Sequence, residues 1–183
     1  INGGEELALI DAGSGPSIEP MIENIRFDGL DPSRLRYLLL THAHADHAGA
    51  AAVWRERFGV EVMAAPEAAR WVRDGDEERI SLRDAKRAGI YPQDYEFRAC
   101  EVVRDLSEGD TVSVGDVELQ VFETPRHSAG MLSFLLDDGG HKCLFAGDTI
   151  FHGGRLAIIH TWDCNIGQCA QSVAKLHDLE FEA

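Results

Sequence analysis

At 183 residues, with 44% hydrophobic and 27% charged side chains, the chain is long enough to bury one sizeable core and gives no reason to expect a second domain. Its formal net charge of −15 would repel a phosphate backbone, which excludes nucleic acid as the default partner. No apolar run approaches the roughly 20 residues of a membrane-spanning helix, the opening INGGEELALI lacks a signal-peptide pattern, and the four cysteines form no CxxC pair; the expectation is a soluble cytoplasmic protein with reduced thiols and no membrane partner.

The predicted elements alternate along the chain. ELALIDAG (6–13) reads as a buried strand closed by a glycine turn. Residues 16–30 follow as a helix, with Ile18, Met21, Ile22 and Ile25 at helical spacing. SRLRYLLLT (33–41) returns to a buried strand, after which Asp46 is expected to N-cap a helix over HAGAAAVWRERFG that Gly59 stops. VEVMAA (60–65) is a further short strand. Residues 66–104 are rich in charge, with helices expected near 66–73 and 77–88, and read as a surface excursion of the same domain. Beyond it, 110–124 carries alternating apolar positions on both sides of Gly115-Asp116, a hairpin pattern that 131–149 repeats around DDGG. Residues 166–179 close as a helix with Ile166, Cys169, Val173 and Leu176 on one face. Strands on both sides of helical segments predict an α/β sandwich, one domain over 1–183.

The stretch THAHADHAGA (41–50) gathers three histidines and an aspartate where a strand ends. On an extended segment side chains alternate, so His42, His44 and Asp46 share one side, and a turn into the next helix brings His47 round. Imidazole and carboxylate donors suit zinc, iron or manganese, and two adjacent ions are within reach of four such side chains. His127, in a loop bounded by Pro125 and Gly130, and Asp148, at the end of the apolar strand KCLFAGD, add donors at strand ends, where α/β proteins assemble their sites.

Four motifs in a fixed order, LIDAG, THAHADH, TPRHSAG and FAGDTIF, span residue 9 to about 151 and resemble those of the metallo-β-lactamase-fold hydrolase superfamily, including its glyoxalase II-like thioesterases. The resemblance implies a four-layer αβ/βα sandwich, here truncated at both ends. It also implies one or two divalent metals, zinc foremost with iron or manganese as alternatives. His42, His44 and His127 would hold the first metal, Asp46 and His47 the second, Asp148 would bridge them, and Asp11 would support the site from behind. The implied reaction is hydrolysis of a small-molecule ester, thioester, lactone or related carbonyl compound by a metal-activated hydroxide, with Asp46 or Asp148 orienting the nucleophile. The same fold carries mononuclear iron oxidoreductases of the persulfide dioxygenase type, which is the alternative reading.

Two departures from the family pattern carry expectations of their own. The family's last strand delivers a further histidine that does not appear before KLHDLEFEA, so the second metal is expected to bind more weakly, and a bare sheet edge leaves room for a homo-oligomer. Arg126 stands where glycine is common, and Arg126 and His160 are the candidate substrate-binding residues. Trp71, Tyr91, Tyr95 and Phe97 in the excursion flank the expected site, and each taken singly reads as packing.

Overall fold

The computed structural model describes residues 1–15, 17–125, 127–156, 158–159 and 161–181. It holds two four-stranded sheets of opposite character. The first consists of β1 (Leu7–Ile10), β2 (Leu35–Leu39), β3 (Glu61–Ala64) and β4 (Arg104–Asp105), all parallel and in that spatial order. Parallel neighbours need crossovers, and helices supply them: α1 (Glu19–Phe27) joins β1 to β2, α2 (Ala45–Ala48) and α3 (Ala51–Phe58) join β2 to β3, and α4 (Pro66–Asp74) and α5 (Leu82–Arg87) join β3 to β4. Burial by these layers accounts for the unbroken apolar run Leu38, Leu39 and Leu40, none of which reaches solvent.

The second sheet is an antiparallel meander of β5 (Thr111–Val114), β6 (Val117–Glu123), β7 (Leu132–Asp138) and β8 (His141–Phe145). Its two tight hairpins turn at Gly115-Asp116 and Gly139-Gly140, as the alternating pattern predicted. One continuous core draws Leu7, Leu38 and Val62 from the first sheet and Val112, Leu119, Val121 and Phe134 from the second. The last helix, α6 (Ile166–His177), is capped by the Asn165 side chain, which accepts from the Gln168 N–H at 3.1 Å.

Four local expectations are corrected. The helix foreseen from Asp46 to Gly59 is two helices: Ala12 N–H donates to the His47 carbonyl (2.6 Å), taking that oxygen out of the helical ladder. Gly49 lies at the break, where a Cβ would meet Ala45 O and the Tyr95 hydroxyl at 2.3 Å each. His44, not Asp46, consequently occupies the N-cap position, and Asp46 lies in the first turn of α2. The second excursion helix starts at Leu82 instead of 77, because the Asp76 carboxylate accepts from the N–H groups of Glu78 and Arg79 and Ser81 adopts a left-handed backbone (φ 58°). Strand β4 was not foreseen. On α6 the buried face is Cys169, Ser172 and Leu176, while Ile166 is 65% exposed; Ser172 replaces it by donating its hydroxyl to Pro125 O at 3.0 Å.

Candidate metal centre

The site forms where β1 and β2 end and where the second sheet presents its β6–β7 loop and the exit of β8. One contact closes the junction between the sheets: Leu132 N–H donates to Thr41 O at 2.8 Å. Gly147 makes a second approach possible. It has φ 50°, and a Cβ there would lie 2.7 Å from Thr41 Oγ1, so only glycine lets the chain before Asp148 pass this close. Asp148 is anchored through its neighbour Thr149, whose hydroxyl donates to Thr124 Oγ1 at 3.1 Å; Thr124 and Ser133 pair at 2.9 Å beneath.

The predicted ligands converge into two overlapping groups. His42, His44 and His127 each place a donor atom within 4.8 Å of the others, and so do His42, His47 and Asp148, making His42 common to both. His44 Nδ1 and His127 Nε2 stand 2.9 Å apart, His127 Nε2 and Asp148 Oδ2 3.3 Å, and His47 Nε2 and Asp148 Oδ1 3.3 Å. Two donors sharing a tetrahedral ion at the usual Zn–N distance lie roughly 3.3 Å apart, so these spacings fit the edges of a coordination polyhedron. Asp46 falls outside both groups. Its side chain is 59% exposed and reaches His47 Nε2 only at 3.5 Å, which puts it at the rim. Arg126 and His160 lie outside the described residues. His152, in a short 3-10 turn, and His177, at the end of α6, are exposed and belong to neither group.

Hydrogen bonds behind the histidines fix which nitrogen faces forward. Asp11 sits just past β1 with φ 64°, a left-handed conformation that aspartate tolerates better than most residues. Its carboxylate accepts from Thr41 N–H at 2.7 Å, from the Thr41 hydroxyl at 2.8 Å and from His47 Nδ1 at 2.8 Å. With its proton given to Asp11, Thr41 Oγ1 accepts from His42 Nδ1 at 3.1 Å, and this network assigns the His42 lone pair to Nε2. That Nε2 is buried and has no hydrogen-bond partner. An orphaned buried acceptor costs about 1–3 kcal/mol, and a cation in front of it would recover that cost.

Electrostatics divide the two groups. Burial, reinforced by repulsion from His44, His47 and His127, holds His42 well below the ordinary imidazole range. Burial and then the neighbouring His127 lower His44 to about 4. Both are therefore neutral, as ligands must be. Burial also acts to lower His47, but hydrogen bonds to Asp11, Asp148 and Asp46 outweigh it and push this imidazole up to about 12. For Asp148 the balance is similar: burial works against ionisation, and the hydrogen bond from His47 keeps the carboxyl below its usual range. Three carboxylates thus surround one imidazolium, and the surplus negative charge suits a divalent cation.

One residue in this region escaped the sequence reading. Asp163 Oδ2 accepts from Ser128 Oγ at 2.9 Å and from Ala129 N–H at 2.8 Å, clamping the loop that carries His127, while Thr161 Oγ1 donates to the His127 carbonyl at 3.5 Å. A lone aspartate in HTWDCN carries no periodicity or motif to announce this. Trp71 and Phe97 are core residues, Tyr95 donates its hydroxyl to Ser14 O at 2.8 Å, and Tyr91 lines a cavity of about 700 Å³ that opens over His44, His127 and Asp148. A second cavity of about 500 Å³, near Arg55 and Cys100, shares no residue with it.

The sequence profile of the metallo-beta-lactamase superfamily matches residues 1–173. The chain belongs to the metallo-beta-lactamase superfamily. A hydroxyacylglutathione hydrolase of Chelativorans sp. (strain BNC1) is 31% identical over 175 residues, covering 96% of this chain and 54% of the relative. An acyl-coenzyme A thioesterase, MBLAC2 of Gallus gallus, is 33% identical over 168 residues, covering 85% of this chain and 58% of the relative. This superfamily member therefore spans little more than half the length of these curated relatives. Among solved structures, BJP-1, a subclass B3 metallo-beta-lactamase of Bradyrhizobium japonicum, aligns with a TM-score of 0.79 and 25% identity over 100% of this chain and 67% of that one. The expected fold is confirmed, with its two sheets and flanking helices.

Proposed function

We propose that the chain is the catalytic domain of a cytoplasmic metal-dependent hydrolase acting on small-molecule esters, thioesters, lactones or related carbonyl compounds. The observation that carries this reading is the convergence of His42, His44, His127, His47 and Asp148 into two donor groups that share His42. In it, His42, His44 and His127 hold one divalent metal, zinc foremost, and His47 and Asp148 hold a second position with His42 or Asp46 nearby. When bound, such an ion lowers the pKa of a coordinated water toward about 7 and polarises a carbonyl oxygen.

The chain's own residues supply the rest. Asp11 fixes the ring of His47 through Nδ1, so that Nε2 faces the site. Asp148, held by Thr149, presents both carboxylate oxygens to the imidazoles and is placed to accept a proton and orient the attacking group. Burial, then the charge of Asp46, raises the Tyr91 pKa above its ordinary value, so its hydroxyl stays protonated and can donate to a substrate oxygen. The names of the curated relatives, a hydroxyacylglutathione hydrolase and an acyl-coenzyme A thioesterase, support hydrolysis over oxygen chemistry.

Metal analysis combined with turnover tests the proposal. A preparation carrying at least one equivalent of transition metal should hydrolyse a panel of short thioesters and esters, lose that activity to a chelator and regain it with zinc, manganese or iron. Chelator-resistant hydrolysis, or oxygen uptake with an iron-loaded protein and no hydrolysis, would overturn it.

A further inference from the structure

The cavity above the histidines has two unlike ends. His44, His127 and Asp148 form one end, and half of the remaining lining residues are the apolar Ile80, Leu82, Ala85, Ala88, Ile90 and Ile159. Among the described lining residues there is no lysine or arginine, and the charged side chains besides histidine are Asp46, Asp84 and Asp148. Asp84 is already engaged by Arg87 at 2.8 Å. A phosphate, carboxylate or peptide-like carrier seated here would lose its hydration against alkyl carbon and meet like charge. An alkyl chain would lose nothing of the kind and would bury apolar surface on both sides.

The wall is also built in advance. Trp162 donates its Nε1–H to Arg79 O at 3.0 Å, its ring meets Trp71 edge-on at 5.6 Å, and the Arg79 guanidinium lies 5.0 Å over it. The segment after Asp148 is thus pinned to the excursion immediately before Ile80 and Leu82, both of which are buried. A cavity of about 700 Å³ lies within the usual size of small-molecule sites, and the part of its wall at Ile80 and Leu82 is already held in place.

We propose that this cavity is an acyl-chain subsite: it takes the apolar acyl arm of a thioester or ester whose carbonyl sits at the His44–His127–Asp148 end, and it leaves the charged carrier of the leaving group outside. The inference rests on the hydrolase reading above and names the part of the substrate that the site selects.

Two substrate series on the metal-loaded protein separate the alternatives. In one, the leaving thiol is constant and the acyl group grows by single methylenes from acetyl; in the other, the acyl group is constant and the leaving thiol grows. The expected result is a rise in kcat/KM of roughly fourfold per methylene in the first series, until the chain passes Ile90 at the rim, and a flat second series. Ala85→Phe and, at a more exposed position, Ala88→Trp should each move the end of the rise to shorter chains. A flat acyl series beside a rising leaving-group series would assign the cavity to the leaving group and overturn the inference, while leaving the hydrolase reading intact. Binding of non-hydrolysable alkyl methyl ketones, measured by calorimetry, gives a readout independent of turnover. Affinity that climbs with chain length and is lost in Ala88→Trp supports the subsite even if no ester is hydrolysed; affinity independent of length refutes it.

Discussion

The two donor groups share His42 and lie side by side, yet they are made ready for a cation by opposite means. The His42–His44–His127 group is built by burial: His42 and His44 are pushed toward neutrality, and the His42 lone pair is aimed inward before any ion arrives. The His47–Asp148 group is built by charge: carboxylates of Asp11, Asp46 and Asp148 surround His47 and hold its proton up to about 12. On the proposed reading, His42 and His44 would take a metal without giving up protons, whereas the second group would have to release one from His47. Two adjacent positions in one cleft can therefore have different affinities and different pH dependences with nearly the same ligand types.

The largest expected effect comes from the residue common to both. His42→Ala should abolish stoichiometric metal binding at the first position, with a loss of at least about 100-fold read by chelator competition, and weaken the neighbouring second position less. Retention of the first position at full affinity would show that His42 is not its ligand.

The pH dependence of metal-free stability sharpens the contrast, because the signs differ. A histidine whose folded pKa is lowered, as for His44 from 6.5 to about 4, contributes stability that is fully present above 6.5 and is lost as pH falls toward 4. His47 has the reverse sign: its contribution is full below 6.5 and declines as pH rises toward about 12. Thermal melts of the apo-protein should show a loss on acidification between pH 6.5 and 4, on the order of 3 kcal/mol for His44 alone. His44→Gln should flatten that limb and leave the alkaline one. An unchanged acid limb in His44→Gln would mean that burial does not set its protonation.

Asp11→Asn should act mainly on the second group, because its direct contact is with His47, whereas it reaches His42 only through Thr41. Asparagine accepts the left-handed backbone and the Thr41 hydrogen bond, but removes the charge that orients and protonates His47. Affinity of the second position should fall about 10- to 100-fold, with the first nearly unchanged. Equal losses at both would assign Asp11 a structural part only. Asp163→Ala should give the smallest change, a several-fold weakening at the first position, because it removes two hydrogen bonds of about 1 kcal/mol each from the His127 loop. Weakening confined to the second position would contradict that.

What the sequence made legible follows from how local each cause is. The hairpins at Gly115-Asp116 and Gly139-Gly140 were readable because alternation and turn chemistry act within a few residues. The convergence of His42, His44 and His47 was readable for the same reason: strand alternation followed by a helical turn acts over six residues. Breaking of the helix at Gly49 was not, since it depends on Ala12, Ser14 and Tyr95 arriving from elsewhere in the chain. Strand β4 is two exposed residues held by pairing with β3, and no pattern marks it. Burial of Ser172 on the inner face of α6 depends on Pro125 O, which arrives from a distant part of the chain. Asp163 acts across more than 30 residues on a loop that motif spacing locates but does not secure.

Proton counting during metal binding separates the two donor groups. Zinc titrated into the apo-protein near pH 7, in buffers of different ionisation enthalpy, should give two calorimetric events. The expected result is a tight first event with close to no proton released and a weaker second event releasing about one, the proton of His47. Two events of equal affinity and equal proton release would contradict it.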